Sequence, residues 1–527
     1  MIFYRIIDYY TRGGTIIGDI RRALEEYSTP LEIKDENFED FCQKIEQLIY
    51  YFRDPDRDPI EDVVNIGRKL RSLGAPMEAY KILKAEAEVL KNNKMYREYW
   101  HRRYFSFAFA ALGYPTDAIE LELRQDIEEL KIHREFFPYL PLFLNILGSI
   151  LHVYRRKYRE ANEIYEEALA SILSMQEDEF ENVTIDRKYH WAVRLIINNY
   201  IDSLFHIEDR TEEEENRLLG LFELLETQGE GTSYAVTLSQ LNLAEYYAYK
   251  GDKRYKDVLK KLHHIKDREL VRHIVPASIR IKAIYYSRVG NFKKSLVLIL
   301  ESLKKSKYYG NTLEETIVME SAMDIFKRVT AQFSAVQKRE FFTHTPIFKY
   351  LLKVQAAKDT YLGKEHAKNV SILARRLGEI LGLDGEELEI LEFAGLLHDV
   401  GKLYIPWFTL NKVTPLDDED WEIIKIHPVK GAEMLENLGM WREAEAVRNH
   451  HERVDGSGYP LGKSELNILD EIVGISDLFD AAVSPSRRYK AHKSKDELIR
   501  DLLKGEPFKF SAVVLNALRQ AVDRGLA

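Results

Sequence analysis

From residue 1 to about residue 330, apolar side chains return at three- and four-residue intervals, and no long stretch alternates apolar with polar residues. That spacing gathers apolar groups on one face of a helix, whereas a half-buried strand needs a period of two. The region therefore reads as helix after helix. Within it a short pattern recurs: an aromatic or apolar helix, a tight turn, then a small residue five positions on. LGAPMEA carries it with Gly74 and Ala79, LGYPTDA with Gly113 and Ala118, YRRKYREA with Arg156 and Ala161, and SRVGNFKKS with Gly290 and Ser295. YKGDKRYKDV around Gly251 is a looser copy, and the steps Gly74 to Gly113 and Gly251 to Gly290 are both 39 residues. Stacked helical hairpins, an α-solenoid, are the physical reading, with the small residue letting the second helix lie close to the first.

The hairpins resemble a tetratricopeptide-repeat array with longer helices than usual. The resemblance implies a surface that holds a protein or peptide partner, with a second copy of the chain as another option. Thr211 followed by Glu214 reads as a capping box opening one of the helices. The longest uncharged run, Phe136 to Tyr154, approaches the length of a membrane span. It contains Pro138, Pro141, Asn145, Gly148 and His152 and is read as a buried helix, not a span. Arg5 and Asp8 come too early for a secretory signal, and one cysteine, Cys42, allows no intrachain disulfide, so a cytoplasmic location is expected. With 76 basic against 86 acidic residues the formal charge is −10, which argues against a generally basic surface and against DNA as a partner. A local basic pocket is still allowed.

Around Ala331 to Pro346 the repeat pattern stops, and AQFSAVQKREFFTHTP reads as a connector. The expected division is a repeat domain over 1–335 and a second domain over 345–527, all-α throughout. In the second part histidines cluster. His366 heads an amphipathic helix; AGLLHDVGKLYIP holds His398, Asp399 and Lys402; IIKIHPVKGAEML holds His427. VRNHHERVDGSGYP holds His450, His451, Arg453, Asp455, Gly458, Tyr459 and Pro460; VGISDLFDAAVS holds Asp477 and Asp480; SRRYK holds Arg487 and Lys490. Each of these alone has an ordinary structural explanation. Together they set imidazoles and carboxylates, the ligand types for divalent iron or manganese, over several helix ends. His398 and Asp399 follow an apolar run, where a buried polar group needs a metal or a partner to offset desolvation.

The order H…HDxGK…H…HHExxDGxGYP…D resembles the HD-GYP family of metal-dependent phosphodiesterases over residues 345–527. The resemblance implies an all-helical domain that hydrolyses cyclic di-GMP to pGpG or GMP. Carried over by position, it implies His366, His398, Asp399 and Asp477 as shared ligands and His427, His450 and His451 as ligands of a second ion. Asp399 is expected to bridge the ions. It implies Lys402 near the scissile phosphate, and Asp455, Gly458, Tyr459, Pro460, Arg487 and Lys490 toward substrate. Some members carry a glutamate one helical turn before the first histidine and bind a third metal; Leu362 stands there, so two ions, iron or manganese, are expected. Trp407 and Arg488 also depart from the family pattern. The expected reaction is attack on phosphorus by a hydroxide bridging the two ions, with Lys402 stabilising the phosphoryl charge. The competing expectations are a sensor that retains ligand but turns over slowly, and another chemistry of the wider HD superfamily, such as nucleotide phosphohydrolysis.

Overall fold

The computed structural model describes residues 63–72, 75–177, 190–227, 234–308, 312–345, 365–410, 416–483, 494–504 and 509–526, with 349, 352 and 412. Among the described residues every regular element is helical, as the periodicity predicts. The chain divides into two compact units, Met1–Ser321 and Ala322–Ala527.

The described part of the first unit holds α1 (Val63–Ser72), α2 (Pro76–Asn92), α3 (Tyr96–Ala110), α4 (Asp117–Ile132), α5 (Leu140–Ser149), α6 (Tyr158–Glu177) and α7 (His190–Phe205). It continues with α8 (Glu212–Thr227), α9 (Tyr234–Tyr249), α10 (Tyr255–Lys260), α11 (Arg268–Arg288), α12 (Phe292–Tyr308) and the start of α13 (Thr312–Val329). Neighbours in sequence pack as pairs, α2 with α3, α5 with α6 and α11 with α12, while α9 lies against both α7 and α11. The small residues Ala79, Ala161 and Ser295 are wholly buried at these contacts. Ala118 is exposed, so the expected close approach at that position does not occur. Two turns are made by glycine in the left-handed region, Gly251 (φ +69°) and Gly290 (φ +79°), and a third by Arg156 (φ +55°). Thr211 and Glu214 form the capping box, each side chain accepting from the other's main-chain N–H. The run Glu135–Tyr154 is long and apolar enough to cross a membrane by length and composition, but it is mostly buried within the protein. It is a 3-10 turn, α5 and a π turn (Ile150–Tyr154) in succession. The π turn aims His152 at the Tyr165 hydroxyl (2.7 Å) and at Asp202 (3.2 Å).

The boundary between the units falls inside α13, earlier than the expected 335. The segment expected as a connector is itself largely helix, α14 (Ala335–His344), opened by a Ser334–Gln337 capping box. Phe326, near the end of α13, meets Phe342 of α14 edge-on at 5.2 Å with both rings buried, so the last turns of α13 pack with the second unit.

The second unit goes on with α15 (His366–Leu381), α16 (Gly385–Leu397), a 3-10 turn (Val400–Tyr404), α17 (Trp407–Leu410), α18 (Asp418–Ile424), α19 (His427–Asn437) and α20 (Trp441–Asn449). It closes with α21 (Ile468–Val483), α22 (Lys495–Lys504) and α23 (Ala512–Asp523). Helices α15, α16, α20 and α21 pack on one another, α19 pairs with α20, and α23 covers α15. Leu377, Leu391, Leu397, Val447, Ile472 and Ile475 fill the space between them. Each such side chain contributes about 1.5–3 kcal/mol by leaving water. Capping boxes at Asp384–Glu387 and Asp417–Asp420 open α16 and α18 and so fix where the following histidine-bearing ends begin.

Candidate metal centre

All seven expected metal ligands lie together, and six of them stand at helix ends. His366 is the first residue of α15 and His427 the first of α19, with Pro428 in the first turn. His398 closes α16 and is followed by Asp399; His450 closes α20 and is followed by His451. Asp477 alone projects from within a helix, α21. Two close crossings bring these ends together. A Cβ on Gly401 would lie 1.9 Å from the His427 carbonyl oxygen, so the turn after Asp399 presses on the start of α19. A Cβ on Gly474 would lie 2.5 Å from the His450 carbonyl oxygen, so α21 passes directly over the end of α20.

The ligands fall into two triads, His366–His398–Asp477 and His427–His450–His451, the candidate ligand atoms of each lying within 4.8 Å of one another. Asp399 stands between them. Its Oδ2 is 3.2 Å from His398 Nε2 and its Oδ1 is 3.3 Å from His427 Nε2. Asp477 Oδ1 lies 3.2 Å from His366 Nε2 and 3.7 Å from His398 Nε2.

For four of the five rings the far side sets the tautomer. His398 Nδ1 bonds to the Gly395 carbonyl (2.8 Å), His427 Nδ1 to Ile424 (2.7 Å) and His450 Nδ1 to Val447 (2.6 Å). A carbonyl only accepts, so Nδ1 carries the proton and Nε2 turns a lone pair inward. His366 has no preceding helical turn to supply a carbonyl. Its Nδ1 bonds instead to Asp480 Oδ2 (2.7 Å), whose other oxygen accepts from Asn369 one turn along α15 (2.9 Å).

This arrangement fits divalent cations. The buried Nε2 atoms of His366 and His398 have no hydrogen-bond partner. His427 Nε2 and His450 Nε2 face each other at 3.3 Å with both lone pairs inward, a contact that repels unless a cation sits against it. The charges point the same way. Burial alone would raise the Asp399 carboxyl, but the Lys402 ammonium beside it holds it well below the usual carboxylate range. Asp477 is likewise held low against burial, chiefly by its contact with His366 and by His398. His366 is the exception: against burial, Asp477 and Asp480 push its pKa up to about 10, so an ion bound there must displace a proton. Burial, reinforced by His398 and His427, pushes His450 down to about 3 and leaves its lone pair free of proton competition. The donor set would hold one ion between His366, His398, Asp477 and Asp399, and a second between His427, His450, His451 and Asp399.

Around this centre, Lys402 Nζ donates to Asp399 Oδ2 at 2.7 Å. Tyr459 stacks on His451, with ring centroids 4.6 Å apart, and its main-chain N–H bonds the His451 carbonyl. Gly458 lies against the main chain of Glu452, and a cis peptide joins Tyr459 to Pro460. Asp455 accepts from Ser457 N and Oγ within its own loop. Arg487, Lys490, Arg488 and Leu362 lie outside the described residues, as does the Trp407 side chain.

Three functional positions go beyond the roles that the sequence motifs assign. Asp480 orients His366; its spacing of three from Asp477 on a helix is the available signal. Glu452, buried beside the paired histidines, accepts the main-chain N–H groups of Leu461 (2.6 Å) and Lys463 (2.9 Å) and so straps the Tyr459 loop in place. Arg453 donates to the His450 and Glu452 carbonyls and stacks over Phe510 at 4.8 Å.

Residues 351–507 match the family model described as an HD domain. The cyclic di-GMP phosphodiesterase of Thermotoga maritima is 36% identical over 172 residues, 31% of this chain and 46% of that protein. The cyclic di-GMP phosphodiesterase response regulator RpfG of Xanthomonas campestris pv. campestris is 33% identical over 178 residues, 33% of this chain and 46% of its own length. The 3'3'-cGAMP-specific phosphodiesterase 2 of Vibrio cholerae serotype O1 is 34% identical over 167 residues, 31% of this chain and 32% of that protein. The chain thus spans less than half the length of these relatives, and the matches cover about a third of it or less.

Proposed function

We propose, with an HD domain over residues 351–507 as the premise, that the second unit is a two-metal phosphodiesterase cleaving cyclic dinucleotides, with cyclic di-GMP as the first substrate to test. The observation that carries this reading is the Asp399 carboxylate, whose two oxygens face two separate imidazole-bearing triads. A pair of divalent ions there would supply Lewis acidity toward the phosphoryl oxygens and acidify a water for attack. The chain's own groups do the rest. Asp399 fixes the distance between the triads. Lys402, already within 2.7 Å of Asp399 Oδ2, is placed to donate to a phosphoryl oxygen as negative charge grows on it. Tyr459 walls the second triad and offers a flat face to a base. Arg487 and Lys490 complete the proposal as phosphate grips, Arg487 through its two-pronged donor geometry. The relatives named for cyclic di-GMP and for 3'3'-cGAMP support the substrate class. We assign the helical pairs of the first unit to holding a protein or peptide partner, and the protein to the cytoplasm.

The test is anaerobic purification with metals quantified, followed by incubation of the same sample with cyclic di-GMP or 3'3'-cGAMP and separation of products. Linear dinucleotide or mononucleotide is expected. Protein carrying two ions that binds but cleaves neither compound would favour the sensor reading and overturn the enzymatic one.

A further inference from the structure

The three imidazoles of the second triad belong to one piece of structure. His427 begins α19 and His450 closes α20; the two helices pack together and are joined by the turn at Leu438–Met440. The triad occupies one end of this pair and the turn the other. With 11 residues, α19 is about 16 Å long at 1.5 Å per residue.

The turn end is gripped by α14. Lys338 Nζ donates to the Leu438 carbonyl at 2.6 Å. Arg339 Nη1 donates to Glu443 Oε1 in the first turn of α20 at 2.6 Å, and its Nη2 reaches Glu389 on α16 at 3.1 Å. The Arg339 and Glu443 side chains are 7% and 3% exposed, so this pair is shielded from water, while Glu389 is 48% exposed and its contact is screened. The first triad has no comparable common carrier: His366, His398 and Asp477 stand on α15, α16 and α21.

We propose that Arg339, seconded by Lys338, is a positioning residue for the second triad: the grip of α14 on the turn sets the tilt of the α19–α20 pair and so the placement of His427, His450 and His451 against Asp399. The inference rests on the two-ion reading above. A stiff pair pivoting near its middle carries a displacement of about 1 Å at the turn to the ligand end as a similar displacement, and metal–ligand distances tolerate only about 0.2 Å. A buried ion pair adds little net stability over apolar residues of the same volume, so replacing both partners tests geometry with the fold kept.

The experiment uses the full chain and equilibrium dialysis with Mn2+ under anaerobic conditions, with a melting curve on each variant. The wild type is expected to bind two ions. Arg339→Met with Glu443→Leu is expected to melt near the wild type and bind the first ion within about two-fold of its affinity, with the second weakened at least about ten-fold. Arg339→Lys, which keeps the charge but not the two-pronged reach, should fall between. In a His398→Ala background, which disables the first triad, the remaining ion should show the same loss. A folded double variant that keeps both affinities, or weakens both equally, overturns the positioning role. A wild type that binds fewer than two ions overturns the two-ion reading and this inference with it, a result separable from the first.

Discussion

Gly401 offers the sharpest test of how the centre is assembled. It sits in the 3-10 turn two residues after Asp399, and a Cβ there would lie 1.9 Å from the His427 carbonyl oxygen, 2.6 Å from Gly431 N and 2.8 Å from the His427 carbonyl carbon. The obstacles are main-chain atoms, so no side-chain rotation relieves them. Contact becomes ordinary only at 3.4 Å, so in Gly401→Ala the turn and α19 must separate by about 1.5 Å. That movement is several times the roughly 0.2 Å that ligand distances tolerate. It acts directly on the 3.3 Å approach of Asp399 Oδ1 to His427 Nε2. The expected outcome is loss of the second ion by at least about ten-fold in affinity and a fall in kcat of about 10²-fold. Strain of this kind costs about 1–3 kcal/mol of stability, which leaves the domain folded. Metal dialysis, product chromatography and a melting curve on one preparation give all three numbers. If Gly401→Ala binds two ions and turns over as the wild type does, the crossing at this glycine does not set the geometry of the centre.

Two other outcomes are expected of the same structure. Removing metal with a chelator should lower the melting temperature, and returning Mn2+ should restore it, since an ion at 100 times its Kd stabilises the folded state by about 2.7 kcal/mol; an unchanged melting curve would count against both ion positions. Asp470, buried and bonded to Asn449, has its pKa pushed up to about 6 by burial, which outweighs the Asn449 hydrogen bond. A carboxyl raised in this way favours the folded state below its unfolded value near 3.8, and that advantage is lost as pH rises through about 6. Asp470→Asn should therefore match the wild type near pH 4 and exceed it at pH 8, by at most about 3 kcal/mol. Denaturant unfolding at the two pH values decides the point, and an equal difference at both would refute it.

The histidines and aspartates that gather at the centre are legible in the sequence because of their number and order: singly each has an ordinary explanation, but together, in the order of a known family's motifs, they stand out. Helix type is legible from the period. What is not legible depends on contacts between residues far apart in sequence. Arg339 and Glu443 are 104 positions apart, and no spacing rule joins them. Asp480 and Glu452 are visible as acids inside conspicuous motifs, but their work is set by which ring or N–H group lies opposite, which only the packed helices decide. Arg156 reads as an ordinary turn residue, and nothing in its type signals the left-handed backbone it adopts two residues past the π turn. Ala118 carries the right residue type, yet its face of α4 is open. The periodicity of α13 continues unbroken and so assigns its end to the first domain; the Phe326–Phe342 contact that moves it to the second is tertiary.

The rings of the centre differ in what holds their outer nitrogen, and that difference has an evolutionary consequence. His398, His427 and His450 are oriented by peptide carbonyls, which every amino acid supplies, so no point change at the acceptor position can release them. His366 is oriented by a side chain. Natural variation therefore has a direct handle on that ring through position 480, a single substitution away from a weaker or absent acceptor, while His398, His427 and His450 can be retuned only by bending the backbone beneath them.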